Sequence, residues 1–280
     1  MMVKTPASSV PTSEERHRIA HGLLAYMRYE TIFCGLLLLM ATVYFPNTPP
    51  TAPSRSAKEE RVDFWQGIRE IIFNGGHFWY CAMSYGMLTG FYGGWGSMLG
   101  SNLQHVLPTD TAQDDAGWIG FGGAIGGMVG GIAFSMAADS MGGRMRTMLM
   151  ALCVLSAAAF LIFALICDKT IQLSVSLLYC MSILGGLLVN GTIPLFYELG
   201  VESAYPIAEG LTTSVLTLIN NFWCLVFLFV PSIPGLGSST SWMNWSVVVG
   251  AMLGFVLMIP FREDYKRLNF DLEIERGEQR

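Results

Sequence analysis

The sequence contains few charged residues: Asp, Glu, Lys and Arg together make up 13% of its 280 residues. Soluble globular domains usually carry about 25%, so the composition argues against a soluble enzyme or binding domain. Hydrophobic residues reach 52%, and the ionisable residues lie in short clusters between long apolar runs. This arrangement predicts an all-α protein that crosses a lipid bilayer several times. The net charge of −5 gives no reason to expect a nucleic-acid partner.

Signals for covalent or metal chemistry are also missing. The 6 cysteines all lie in or at the ends of apolar runs, and none forms a Cys-x-x-Cys pair. The sequence therefore predicts neither a disulfide framework nor a metal site. It contains no nucleophile elbow, phosphate-binding loop or zinc-binding helix motif. We accordingly expect no enzymatic activity and no cofactor.

Seven apolar runs are candidates for transmembrane helices, since a tilted helix needs about 20 residues to cross the hydrocarbon. They are residues 31–45, 78–100, 116–138, 147–167, 173–197, 211–230 and 245–261. The predicted organisation follows from these runs. It comprises a polar N-terminal segment (1–30), a first transmembrane helix (31–45), a central loop (46–77), a six-helix bundle (78–261) and a tail (262–280).

Basic residues set the expected orientation of the spans. They are concentrated after the first span, after the third span and in the tail, whereas residues 101–115 and 231–244 contain none. The positive-inside rule then places the central loop and the tail in the cytosol. An odd number of spans places the N-terminus outside, which conflicts with the basic residues of segment 1–30. Either the first span is misplaced or the natural chain has further membrane segments upstream.

The central loop opens with a proline-rich stretch and then becomes amphipathic. Phe64, Trp65, Ile68, Ile71 and Ile72 repeat at helical spacing. This pattern predicts a short helix lying in the cytosolic interface of the bilayer, with Phe64 and Trp65 as anchors. The alternative is a helix that binds a partner protein.

Four polar residues stand out inside the apolar runs. Tyr85 and Thr89 lie in the second span, which glycines interrupt, while Asn190 and Asn221 lie in the fifth and sixth. Polar groups inside a bilayer rarely face lipid. They either join helices by hydrogen bonds or line a polar cavity. Because these residues come from three spans, we expect a shared cavity and predict that all four bind substrate.

The third span is rich in glycine. Gly123 and Gly127 belong to one four-residue repeat, and Gly122, Gly126 and Gly130 form a second. Small residues at this spacing let helix backbones approach closely. The pattern fits a static packed interface as well as one that slides.

The stretch PLFYELGVESAYPIAEG, residues 194–210, holds Glu198, Glu202 and Glu209 without a Lys or Arg. We expect residues 198–209 to form a cytosolic loop between the fifth and sixth spans, where basic residues are usual. The partners of these acids should therefore come from another cytosolic segment: the central loop, the loop after the third span, or the tail. Ion pairs that form there and break when that side opens would act as a gate. The alternative is solvated loop charge.

Asp139 ends the third span and is followed by a glycine turn and Arg144, in the stretch ADSMGGRMR. An acid at a helix end, a glycine turn and basic residues resemble the cytosolic loop motif of the major facilitator superfamily. In that motif the charged groups lock neighbouring helices in one state. Asp139 and Arg144 are therefore expected to gate together with the three glutamates. A basic loop that only sets topology is the alternative.

The stretch at 194–210 also resembles the pattern P-x-x-x-E-x-x-V-E-x-x-Y-P-x-x-E-G of solute carrier family 49, a branch of that superfamily. Every specified residue of the pattern is present in register. SYGM at 84–87 looks like the seventh helix of that family. DDAGWIGF, NWSVVVG and FREDYKRLNFDLE are most similar to a lysosomal member. The resemblance covers residues 44–273.

The resemblance implies a twelve-helix major facilitator fold, of which this chain supplies helices six to twelve. Residues 31–45 are then helix six and 78–261 the C-terminal six-helix half. In choline-handling members a Tyr of the seventh helix and a Gln of the eleventh contact the substrate. Tyr85 and Asn221 occupy these positions, so the amide is retained on a shorter side chain.

The resemblance also implies secondary active transport of a small organic solute. Proton-coupled export of a pyridoxine-type vitamin across the lysosomal membrane is the first expectation. Transport of choline or haem, and a plasma-membrane location, are the alternatives. YKRL at 265–268 has the Tyr-x-x-apolar form of an endolysosomal sorting signal, a form that is common by chance.

Two other functions compete with transport by this chain. A non-transporting fragment could pair with a full-length sibling or form an oligomer, and it would keep all of the motifs above. A seven-helix receptor would fit the number of spans. However, the sequence has neither D/E-R-Y after the third span nor N-P-x-x-Y at the end of the seventh.

Overall fold

The computed structural model describes residues 13–45, 62–107, 111–140, 144–172, 174–233 and 240–269. Within these ranges the regular backbone structure is helical and contains no strand, which confirms the all-α prediction. The helices are α1 (Ser13–Val43), α2 (Phe64–Asn74), α3 (Gly76–Ser97), α4 (Leu99–Leu103), α5 (Ala112–Ser140), α6 (Met145–Cys167), α7 (Val175–Gly191), α8 (Ile193–Ala204), α9 (Glu209–Phe229) and α10 (Ser241–Met258).

Six stretches of the described chain are long and apolar enough to cross a membrane. They are Arg16–Val43, Ala112–Ser140, Met145–Cys167, Val175–Ala204, Glu209–Ser232 and Ser241–Met258. α3 accounts for the difference from the seven predicted spans, because its 22 residues suffice in length but include many glycines and polar aromatic residues. α3 packs along α8, α9 and α10. These helix contacts accommodate its glycines and polar aromatic residues.

The first helix is longer than predicted. α1 begins at Ser13, whereas the sequence pattern placed the start of the first span at residue 31. Residues 13–30, assigned to the polar segment, continue the same helix, and residues 1–12 lie outside the described ranges. Ala, Leu, Met, Arg and Glu in this stretch are good helix formers, which a search for apolar runs does not detect. None of the span Arg16–Val43 is buried by the rest of the described chain.

The central loop contains the predicted amphipathic helix, α2, although residues 46–61 lie outside the described ranges. Asp63 caps it, because its carboxylate accepts the Trp65 N–H at 3.3 Å. One face of α2, with Gly67 and Ile71, is buried. Trp65 on another face is 75% exposed. Insertion of Trp65 into the bilayer interface remains a prediction.

The predicted fifth span is two helices. α7 ends at Gly191 and α8 begins at Ile193, with Thr192 between them. Pro194 lies in the first turn of α8, where its missing N–H costs nothing, whereas within one continuous helix it would break the hydrogen-bond ladder. The predicted cytosolic loop at 198–209 is therefore wrong over most of its length. Glu198 and Glu202 lie on α8, and Glu209 begins α9.

The glycines of α5 make a close interface with α7. A Cβ atom on Gly186 of α7 would lie 2.9 Å from the Cα of Gly123 on α5, so the two backbones nearly touch. A Cβ atom on Gly127 would lie 2.3 Å from the Cβ of Asn190. The glycine repeat thus serves close packing. Sliding of this interface stays untested.

We expect Gly127→Ala to destabilise the bundle. The clash is with the Asn190 Cβ, which cannot rotate away, so α5 and α7 must separate at a cost of roughly 1–3 kcal/mol. The melting temperature of the detergent-solubilised protein should fall. The control is Gly120→Ala on the same helix, where the added methyl meets nothing within 4 Å. Equal melting temperatures for the two variants would contradict the packed interface.

Candidate functional site

A chain of hydroxyl groups connects α3, α8 and α9. The Tyr85 hydroxyl donates to the Tyr197 hydroxyl at 3.3 Å. The Tyr197 oxygen in turn lies 3.0 Å from Thr217 Oγ1, where either group can donate. Tyr85 is 4% exposed. Its hydroxyl is linked by hydrogen bonds through Tyr197 to Thr217, which is exposed on α9. The sequence analysis identified Tyr85 but missed Tyr197, although Tyr197 lies within the stretch that carries the family resemblance.

Thr89 and Asn220 join α3 to α9. Thr89 Oγ1 donates to the Tyr85 carbonyl at 2.6 Å and accepts from Asn220 Nδ2 at 2.5 Å. Thr89 is buried, and both of these bonds are internal to the bundle. The substrate-binding role of Thr89 stays a prediction. Asn220, rather than its neighbour Asn221, is the amide that pairs across helices.

Asn221 is exposed. It lines a cavity of about 510 Å³. The other lining residues are Tyr197, Thr213, Ser214, Thr217 and Leu218. Thr213, Thr217 and Asn221 are spaced by four residues and therefore share one face of α9. Of the four residues predicted to share a cavity, Asn221 is the one that lines it, so the shared cavity stays a prediction. The lining carries no charge.

Asn190 has different neighbours. Its Nδ2 lies 3.5 Å from the Tyr92 hydroxyl and 3.4 Å from the Gly123 carbonyl. These long contacts join α7 to α3 and α5. The structure therefore connects Tyr85 with the α9 face that carries Asn221. Thr89 contacts Asn220 instead, and the contacts of Asn190 are with Tyr92 and Gly123.

A second polar cluster lies where the tail meets α8 and the start of α9, and there one guanidinium group holds three carboxylates. Arg267 NH2 lies 2.7 Å from Glu198, Nε lies 2.9 Å from Glu202, and NH1 lies 3.1 Å from Glu209. Of the three segments considered as partners, the tail supplies this cation. Sequence reasoning could not choose Arg267, because the tail holds several basic residues at similar distances along the chain.

Glu202 is the buried member of this cluster and is 3% exposed. One of its oxygens accepts from Arg267 Nε, and the other accepts the backbone N–H groups of Arg267 at 3.1 Å and Leu268 at 3.2 Å. A buried carboxylate is tolerated only when it is paired and hydrogen-bonded in this way. The tail must therefore fold back onto α8.

Arg267 stays charged under all physiological conditions. Burial acts to lower its pKa, but the nearby carboxylates of Glu198 and Glu202 outweigh burial and the pKa is raised. Because this pKa lies far above neutral, the ion pairs are not lost when the pH rises within the physiological range. They are lost only if the glutamates take up protons at lower pH.

The tail is also attached to the start of α6. The Met145 N–H donates to the Tyr265 hydroxyl at 3.3 Å, and the Arg146 N–H donates to Glu263. The Arg146 side chain donates to the Met258 carbonyl at 2.9 Å. Arg146, considered as a partner of the acids, thus holds the end of α10 instead.

Asp139 and Arg144 lie at the end of α5 and the start of α6, and both are exposed. Within the part of the chain that the structure describes, neither forms a salt bridge. Residues 141–143, which connect them, lie outside that part. Their predicted role in gating stays a prediction. Among the described residues, no group of His, Cys, Asp and Glu side chains is arranged to hold a metal ion.

Comparison with known proteins agrees with this architecture. A sequence model of the major facilitator superfamily matches residues 22–231. The chain is 34% identical over 250 residues to a solute carrier family 49 member 4 homolog of Xenopus tropicalis, covering 88% of this chain and 53% of that protein. It is 35% identical over 253 residues to the Xenopus laevis homolog, with the same coverage.

A more distant relative has a named substrate. The chain is 30% identical over 207 residues to the choline/ethanolamine transporter FLVCR1 of Mus terricolor, covering 68% of this chain and 34% of that protein. The chain spans about half the length of the two Xenopus relatives.

Arg267→Ala should destabilise the protein by about 3 kcal/mol or more, because it leaves the Glu202 carboxylate buried without a cation. The melting temperature of the purified chain measures this. Adding Glu202→Gln to Arg267→Ala should restore part of the loss, since it removes the unpaired charge. Arg262→Ala, an exposed change in the same tail, is the control. A melting temperature for Arg267→Ala equal to that of the control would contradict the assigned cluster.

Proposed function

The chain belongs to the major facilitator superfamily and is of the solute carrier family 49 type, and we propose that it acts in secondary active transport of a small organic solute. The observation that carries this proposal is the cavity on α9, which Tyr197 connects to the buried Tyr85. Its volume of about 510 Å³ lies in the range of small-molecule sites. The chain is a multi-pass membrane protein, and we propose the lysosomal membrane as its location.

The lining of the cavity favours a neutral solute that carries hydroxyl groups. Tyr197, Thr213, Ser214 and Thr217 offer hydroxyls that can both donate and accept, and Asn221 adds an amide. A pyridoxine-type vitamin, a flat ring with several hydroxyl groups, matches this set of partners. Tyr85 and Asn221 are proposed as substrate-binding because they occupy the positions that contact the substrate in relatives. Thr89 and Asn190 are proposed to hold the walls of the site.

Choline is the alternative solute, and the FLVCR1 relative, a choline/ethanolamine transporter, supports it. The rings of Tyr85 and Tyr197 lie 5.5 Å apart between their centroids, and tyrosine faces attract quaternary ammonium groups. The shorter Asn221 leaves more room than Gln at this position. That extra room suits a ring better than a trimethylammonium group, so we place pyridoxine-type solutes first.

The carboxylate cluster, formed by Glu198, Glu202 and Glu209 around Arg267, is the proposed cytosolic gate. Arg267 joins Glu198 and Glu202 on α8 to Glu209 on α9, so α8 and α9 cannot separate at this end while the pairs are intact. Glu198 is the proposed proton-coupling acid, because it is 46% exposed whereas Glu202 is enclosed by the tail. Asp139 and Arg144 are proposed as further gate residues on α5 and α6.

One observation favours a second function, association with another membrane chain. The span Arg16–Val43 of α1 is long and apolar enough to cross a membrane, and 0% of its apolar window is buried by the described chain. A helix of this kind can pack against helices of a full-length sibling or of a second copy. In this case the chain would modify a transporter rather than transport alone.

Tyr197→Phe should reduce solute uptake about tenfold, which corresponds to roughly 1.4 kcal/mol for the lost hydroxyl bonds in the site. The measurement is uptake of labelled pyridoxine and choline by cells that carry the chain at their surface, alone and fused behind a first half from a relative. The control is Tyr80→Phe on α3, because the Tyr80 hydroxyl is not one of the hydroxyl groups that link α3 to α9. Equal uptake by the two variants would show that Tyr197 is not in the solute path.

Glu198→Gln should abolish the pH dependence of uptake. In the unchanged protein we expect uptake to rise when the outside is acidic, since the outside corresponds to the lysosomal lumen. A glutamine cannot carry a proton across, so uptake by the variant should be the same at acidic and neutral pH. Asp264→Asn, an exposed acid of the tail, should keep the dependence. If Glu198→Gln retains it as well, the coupling acid lies elsewhere.

A further inference from the structure

The tail beyond α10 contains a tetrapeptide whose form is recognised by other proteins. Residues 265–268 read YKRL, a tyrosine and a leucine separated by two residues. The basic residues of this end place it in the cytosol. Cytosolic sorting adaptors bind tetrapeptides of this kind as an extended strand, with the tyrosine and the apolar residue in separate pockets. Such binding uses the free backbone and alternate side chains of the peptide.

In the structure the tetrapeptide is not in a form that such a partner can bind. Residues 266–269 are helical, and the Asn269 N–H donates to the Tyr265 carbonyl at 2.9 Å, which closes one turn over the whole tetrapeptide. The Tyr265 side chain is half-buried, and its hydroxyl accepts the Met145 N–H. The strand geometry and the tyrosine are therefore both unavailable.

Arg267, the third residue of the tetrapeptide, holds it in place. Its guanidinium binds Glu198, Glu202 and Glu209, and its own N–H and that of Leu268 donate to Glu202. The same three glutamates thus keep the backbone of the tetrapeptide folded. Leu268 is 49% exposed, so the apolar residue is accessible while the tyrosine and the backbone are not.

We propose that residues 265–268 are a binding site for a cytosolic sorting adaptor, and that the carboxylate cluster masks this site until Arg267 is released. An adaptor that binds only the released tail has its apparent affinity reduced by the fraction of time the tail is docked. Weakening the cluster raises the fraction of time that the tail is released and so strengthens binding. This proposal does not depend on transport, since it requires only the docked tail and its cytosolic side.

The test measures internalisation of the full chain from the cell surface, by cleavable surface biotinylation. Glu198→Gln with Glu209→Gln removes the two exposed partners of Arg267 and leaves Glu202 in place. We expect this pair to raise the internalisation rate at least threefold. Adding either Tyr265→Ala or Leu268→Ala should return the rate to that of the unchanged chain. Adding Asn269→Ala, just outside the tetrapeptide, should leave the raised rate as it is.

Internalisation of the chain without the glutamine substitutions tests whether the site is masked. In the chain that keeps all three glutamates, Tyr265→Ala should change the internalisation rate by less than twofold. A slower rate would mean that the tetrapeptide is bound while docked, which overturns the masking. If the glutamine pair raises the internalisation rate and neither Tyr265→Ala nor Leu268→Ala lowers it again, the proposal of an adaptor site is overturned. A pair variant that is well folded by gel filtration and internalised at the original rate also overturns it.

A milder variant keeps the test decisive if the glutamine pair does not fold. Glu209→Gln alone removes one rim partner, whose side chain is 49% exposed. It should raise internalisation by a smaller factor that still disappears with Tyr265→Ala. No Tyr265-dependent increase in this variant would overturn the proposal.

Discussion

The buried carboxylate of Glu202 determines how the tail and the neighbouring ends of the helices are arranged. An ionised carboxylate out of contact with water costs several kcal/mol unless charges and hydrogen bonds compensate for it. Glu202 obtains this compensation from the side chain and backbone of Arg267 and from the backbone of Leu268. The tail can provide these groups only by folding back across α8, and this brings Arg267 to Glu198 and Glu209 and Tyr265 to the start of α6.

The break between α7 and α8 is the second constraint. Because Pro194 cannot continue the hydrogen-bond ladder of α7, α8 begins as a new helix and carries Tyr197 and Glu198 as neighbours. Tyr197 faces the hydroxyl chain of the cavity, while Glu198 faces the tail. One short helix thus contributes a side chain to each of the two polar clusters.

Sequence reasoning could predict the helical class, the grouping of the three glutamates and the polar character of Tyr85, because composition and spacing determine them. It could not decide between Asn220 and Asn221. Successive residues on a helix point about 100° apart, so only the tertiary position of α9 shows which amide pairs with Thr89 and which faces the cavity. For the same reason the sequence could not select Arg267 among the basic residues of the tail. Its role depends on the fold of a segment that has no periodic pattern.

The arrangement of α8 couples the two polar clusters mechanically. Tyr197 and Glu198 are adjacent on a helix that a close-packed bundle holds as a rigid unit, so they cannot move independently. Any movement of α8 that draws Glu198 away from Arg267 also displaces the Tyr197 hydroxyl relative to Thr217 on α9. The converse holds as well, because a solute that repositions Tyr197 shifts the helix that carries Glu198 and Glu202. A change at the cavity that moves α8 would therefore reach the tail through one rigid element, and such a shared element is what coupling between the two clusters requires.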